Sequence, residues 1–77
     1  MTTLPTTELA VLTATAAGHS QRAIATQLGI SRNLVRTRQE SARAHLGAAT
    51  LPHAVALAIR DGHITTDQIP DTPEQPQ

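Results

Sequence analysis

Residues 20–35 read SQRAIATQLGISRNLV, and the punctuation of this stretch decides the fold. Ser20 and Ser31 each stand before a helix-compatible run, where a serine hydroxyl can accept from the unpaired amides of the first turn. Between them lies Gly29, the residue type that takes a left-handed backbone at a helix end without steric penalty. Ala23, Ile24 and Leu28 share one face of residues 21–28, and Ile30 and Val35 carry the apolar set across the turn. Ala25 is small where two helix backbones would approach. The spacing predicts two helices locked about Ile24, Leu28, Ile30 and Val35 at a steep angle, with the second one protruding.

The same punctuation continues on both sides. Before it, a helix starts between Pro5 and Thr7, with Glu8 at the positive end of its dipole and Leu9, Leu12 and Ala16 at helical spacing, and Gly18 stops it. After it, Ser31 opens a helix that runs to about Leu46 and is ended by Gly47. Thr50 caps a fourth, with Pro52 near its start, Asp61 at its end and Gly62 as terminator. The expected fold is all-α, a four-helix domain over residues 1–64. Residues 65–77, TTDQIPDTPEQPQ, hold three Pro and three acids without apolar periodicity, and read as a Pro-rich, acidic, disordered tail.

Composition narrows the function. Seventy-seven residues without Phe, Tyr, Trp or Cys leave room for one small core of Leu, Ile, Val and Ala, with neither a disulfide frame nor a thiolate metal site. No apolar run is long enough to span a bilayer and the N-terminus has no basic region of the signal-peptide type, so a soluble cytoplasmic protein is expected. The net charge is zero but unevenly spread: up to His63, six Arg face three carboxylates (Glu8, Glu40, Asp61), giving +3, while Asp67, Asp71 and Glu74 lie in the tail. A basic body with an acidic tail is what a local phosphate-binding face would produce.

The third helix carries the functional signal. On a wheel of about 100° per residue, Ala42 and Leu46 fall close to Val35, and Asn33, Arg36, Thr37 and Glu40 form one stripe on the opposite side. Arg and Asn make bidentate bonds to guanine and adenine edges, Glu can accept from the cytosine amino group, and a Thr methyl can meet a thymine methyl. These four are the candidate base-reading residues of a double-stranded DNA site. Ser20, Gln21, Arg22, Ser31, Arg32, Arg38 and Arg43 are the candidates for phosphate contact, the serines because a capped helix start points its positive end at an anion.

The fourth helix is apolar at six successive positions, AVALAI over residues 54–59, so more than one face wants burial. Val55 and Ala58 suit the domain core; Leu51, Ala54 and Leu57, with Ala58 at their border, are candidates for a homodimer interface. His19, His45, His53 and His63 form no i, i+4 pair and have no Cys companion, so helix ends or solvent are expected for them and no metal. No nucleophile–base set, paired carboxylates or phosphate loop can be defended. Neither catalysis nor a cofactor is expected.

Residues 4–64 resemble the LuxR/GerE-type helix-turn-helix domain. The resemblance rests on Leu4, Glu8, Val11 and Leu12; on Gly18, Ser20, Ile24, Ala25, Leu28, Gly29, Ser31 and Val35; and on Leu46, Gly47, Ala54, Val55, Ala58 and Gly62. It implies that helices two and three form the DNA-reading unit, that Arg36, Thr37 and Glu40 fall on its base-reading positions, and that dimerisation uses the fourth helix. Departures are Pro5 for a capping Thr, Thr7 for Arg, Ala23 for the Glu of a capping box, Leu34 for Thr, Arg38 at a basic or His position, and Glu40 where Lys or another polar residue is usual. The expected function is a sequence-specific transcriptional regulator that binds DNA as a homodimer with helix three in the major groove. The alternative is a helix-turn-helix-derived module that binds another regulator or a polymerase component, favoured by Glu40, Leu34 and the low net charge.

Overall fold

The computed structural model describes residues 4–69. Its helices are α1 (Thr6–Ala16), α2 (Gln21–Leu28), α3 (Arg32–Leu46) and α4 (Leu51–Arg60), with no strand among the described residues. The fold is all-α, and the helix boundaries follow the caps read from the sequence. The Ser20 hydroxyl accepts from the Ala23 amide at 3.1 Å, Ser31 from Leu34 at 3.0 Å and Thr50 from His53 at 3.2 Å. Pro5 precedes α1 without a side-chain cap bond. At the turn between α2 and α3, Gly29 has φ 69°, and the Ile30 amide reaches back to the Ala25 carbonyl at 3.0 Å.

α3 is the hub, packing against α1, α2 and α4. Two apolar clusters form around it. One joins Val11, Ile24, Ala25 and Val35, with Ala14 and Ile30 against it; the other joins Leu4, Leu12, Ala42, Ala48, Ala54, Ala58 and Ile64. Two polar side chains are buried beside them, Glu8 and Gln39. Glu8, expected only as a dipole partner, lies 4% exposed, and its Oε1 is 2.6 Å from Nδ1 of half-exposed His45. His45 therefore joins the end of α3 to the start of α1. His53 Nδ1 accepts from the Ala49 amide at 3.1 Å.

Three expectations need correction. Leu28 does not lock α2 to α3: it is 39% exposed, because Gly29 turns the chain away just after it, and Ile30 packs on the cluster instead. Ala54 and Ala58, expected on the dimer surface, are both 0% exposed within the single chain. They are i, i+4 on the inward face of α4, where alanine lets that helix sit close. The expected disorder does not begin at residue 65: a 3₁₀ turn spans Thr66–Gln68, with the Gln68 side-chain oxygen accepting from the Thr65 amide at 2.9 Å. Residues 70–77, with the remainder of the expected tail, lie outside the described residues.

Ile64 closes the second cluster at 1% exposure. Ile64→Ala should therefore lower unfolding free energy by about 2–5 kcal/mol. Truncation after Ile64 should leave helicity unchanged. Denaturant titration followed by circular dichroism checks both.

Candidate nucleic-acid interface

Packing decides which side of α3 is left to act. Val35, Gln39 and Ala42 point inward at i, i+4 and i+7. Asn33, Arg36, Thr37 and Glu40 are all exposed on the other side. The structure brings the four together as one stripe. Arg36 Nη2 donates to Asn33 Oδ1 at 3.4 Å, and Thr37 Oγ1 donates to the Asn33 carbonyl at 3.0 Å. With its hydroxyl bonded to the backbone, Thr37 has its methyl left to offer a ligand.

Two clefts flank this stripe. A polar cleft of about 430 Å³ is lined by Gln21, Ser31, Arg32, Asn33 and Arg36, where the starts of α2 and α3 converge. A smaller one, about 120 Å³, is lined by Arg36, Gln39, Glu40, Arg43 and Leu51. Arg36 borders both. The first combines two guanidinium groups with capped helix starts, a setting suited to an anionic backbone beside base edges.

The residues expected at phosphates divide into two groups. Ser20, Arg22, Ser31 and Arg32 are exposed around the two helix starts. Gln21, Arg38 and Arg43 are half-buried. Gln21 Nε2 donates to Gln39 Oε1 at 2.9 Å, and Arg38 Nε is buried without a hydrogen-bond partner among the described residues. Arg43 forms an ion pair with Glu40, and its Nη1 donates to the Ala48 carbonyl at 2.6 Å, which pins the link between α3 and α4. A phosphate would have to compete with those bonds.

Sequence reasoning missed Gln39 and Thr15. Gln39 Nε2 donates to Thr15 Oγ1 at 2.9 Å while its Oε1 accepts from Gln21. The signal was present: helical spacing from Val35 and to Ala42 puts residue 39 on the buried face, and a buried amide requires partners. No group of three His, Cys, Asp or Glu that could hold a metal occurs among the described residues, and none of the described helices is long and apolar enough to cross a membrane.

Residues 2–58 match the model of a protein family described as bacterial regulatory proteins, luxR family (GerE). The matched span contains α1, α2 and α3 and all but the end of α4. No curated protein and no solved structure matches the chain.

The hydrogen bond from Arg43 holds the Glu40 carboxyl below the usual glutamate range, and Arg43 is raised in turn. A carboxyl lowered in the folded state keeps its ion pair above the ordinary range and loses it as pH falls through the lowered value. Carboxyl NMR should show Glu40 titrating below a normal glutamate, and Arg43→Ala should move it back up. Glu40 is exposed, so the ion pair itself should contribute little to thermal stability, and a fall in Arg43→Ala would report the lost bond to the Ala48 carbonyl.

Proposed function

The chain belongs to the luxR family of bacterial regulatory proteins, whose domain is a DNA-binding transcription regulator, and from there we propose that it reads a specific DNA sequence as a homodimer with α3 in the major groove. The observation that supports this reading most is the stripe Asn33–Arg36–Thr37–Glu40, exposed on the outer side of the helix whose inner side holds the fold together. A guanidinium at Arg36 can meet O6 and N7 of guanine, the Thr37 methyl a thymine methyl, and the Glu40 carboxylate a cytosine amino group. Arg22 and Arg32, with the starts of α2 and α3, take the phosphates.

The dimer surface lies on the side of α4 away from Ala54 and Ala58. With Ala54 and Ala58 in the core, the apolar residues left outside are Pro52 and Ala56, both exposed, beside half-buried Leu51, Val55, Leu57 and Ile59. An apolar groove of about 310 Å³ lined by Thr15, Ala16, Leu51, Pro52 and Val55 continues that surface onto α1. A symmetric copy on this face would give a two-fold dimer, and reading DNA would then require its two α3 helices on half-sites about one DNA turn apart.

Arg36→Ala should cost roughly 1–3 kcal/mol on the preferred site and flatten preference at one base pair. Arg32→Ala should weaken all sequences about equally and lower the salt slope by about one. Binding titrations on a duplex selected from a random pool, and on a random duplex, across a salt series measure both. An unchanged ratio in Arg36→Ala would reject the assigned reading face. Absence of binding by the wild type at low salt would favour the protein-interaction alternative.

Ala56→Glu adds a charge to the outer side of α4 without disturbing a buried position. It should leave the fold intact and shift the chain to a monomer that binds DNA more weakly. Sedimentation of the wild type as a pure monomer at high micromolar concentration would count against the dimer.

A further inference from the structure

A helix that reads DNA must be held at a fixed roll about its own axis. At the helix surface, ~6 Å from the axis, a roll of about 10° moves an atom by about 1 Å. Base-edge hydrogen bonds tolerate roughly half that. Val35 and Ala42 hold α3 against its neighbours by apolar contact, which has no preferred direction of its own. Between them in the sequence lies Gln39, 7% exposed.

Its amide belongs to a one-way chain of hydrogen bonds across three helices. Gln21 Nε2 on α2 donates to Gln39 Oε1 at 2.9 Å, Gln39 Nε2 donates to Thr15 Oγ1 on α1 at 2.9 Å, and Thr15 Oγ1 donates to the Val11 carbonyl at 2.8 Å. In this arrangement the Thr15 proton goes to Val11 and its oxygen accepts, so Gln39 presents nitrogen to α1 and oxygen to α2. Successive bonds in one direction polarise one another and strengthen. The two bonds of Gln39 run to different helices, so they tie α3 to α1 and to α2 at one point along its length.

We infer that Gln39 is a positioning residue for DNA reading: its bonds to Thr15 and Gln21 set the roll of α3, and with it the place where Arg36, Thr37 and Glu40 meet base edges. The inference rests on the DNA-reading proposal. Gln39 sets the aim of the stripe without contributing affinity of its own.

The test uses Gln39→Met, which keeps the side chain's length and volume, and Thr15→Val, which removes the acceptor from α1; because Thr15 also lines the groove beside the proposed dimer face, sedimentation checks that each variant keeps the wild-type oligomeric state. For each variant, their double and the wild type, affinity is measured for the duplex the wild type selects from a random pool and for a random duplex at one salt concentration, with thermal unfolding alongside. Each single variant should lose about tenfold in the ratio of selected to random affinity, the scale of one base contact, and the double should lose no more than either. Affinity for the random duplex should not change. The thermal midpoint should fall in Thr15→Val, which leaves the buried Gln39 amide without its acceptor, and should return toward the wild-type value in the double, where both partners are apolar. If Gln39→Met fails to fold, Thr15→Val alone decides the matter. An unchanged ratio, or equal loss on both duplexes, would overturn the positioning role while leaving DNA reading intact. A wild type that prefers no duplex would overturn the reading of function, and the role of Gln39 with it.

Discussion

Glu8, near the start of α1, meets His45, near the end of α3, at 2.6 Å, and Thr15, near the end of α1, meets Gln39, midway along α3, at 2.9 Å. These two contacts tie α1 to α3 near both ends of α1. Leu12 and Ala42, both fully buried, share one apolar cluster of that seam, and Val11 and Val35 share the other. Without an aromatic residue, each side chain buries little area, so the chain gains close approach through small residues and direction through polar ones. α2 and α4 then pack against α3, and its remaining side is left outward.

The backbone plan was legible because the residues that start and stop helices act locally. Ser20, Ser31 and Thr50 accept from amides three residues ahead, and Gly29 and Gly47 take positive φ where the helices end. Such preferences need no knowledge of the rest of the fold. Inward and outward sides were legible only where polarity alternated. On α3, Val35 and Ala42 opposed a polar stripe and the two sides separated cleanly. On α4, six successive apolar residues gave the wheel nothing to distinguish: Ala54 was placed outside and belongs in the core, Ala58 was assigned to both sides, and Val55, assigned to the core, is only half-buried.

Side-chain pairing was the least legible layer. Glu8 and His45 are 37 positions apart, and Thr15 and Gln39 are 24 apart, so no local spacing announces either contact. Arg43 shows the same limit at short range. Its place beside the stripe suggested a phosphate, but it bonds Glu40 and the Ala48 carbonyl, joining the reading surface to the α3–α4 link. Composition counts it as one more basic residue. The structure makes it a brace whose charge is already partly answered.

That brace bears on how a nearly neutral chain could discriminate among DNA sequences. A surface of unpaired guanidinium groups would bind any phosphate backbone, and its affinity would say little about sequence. Here Glu40 stands within the stripe and holds Arg43, leaving Arg36 as the stripe's arginine not engaged by a carboxylate. Placing a carboxylate among the reading residues lowers attraction to every phosphate alike, whereas a cytosine amino group at the right place restores what was lost. Affinity given up on random sequence is recovered only on matching sequence, which widens the ratio between them. The gain depends on the carboxylate arriving within hydrogen-bond distance of its base. A stripe with one acidic member therefore has more to lose from a small roll of α3 than an all-basic one. Placement of α3 by directional polar bonds and an acidic residue in the stripe answer the same physical demand.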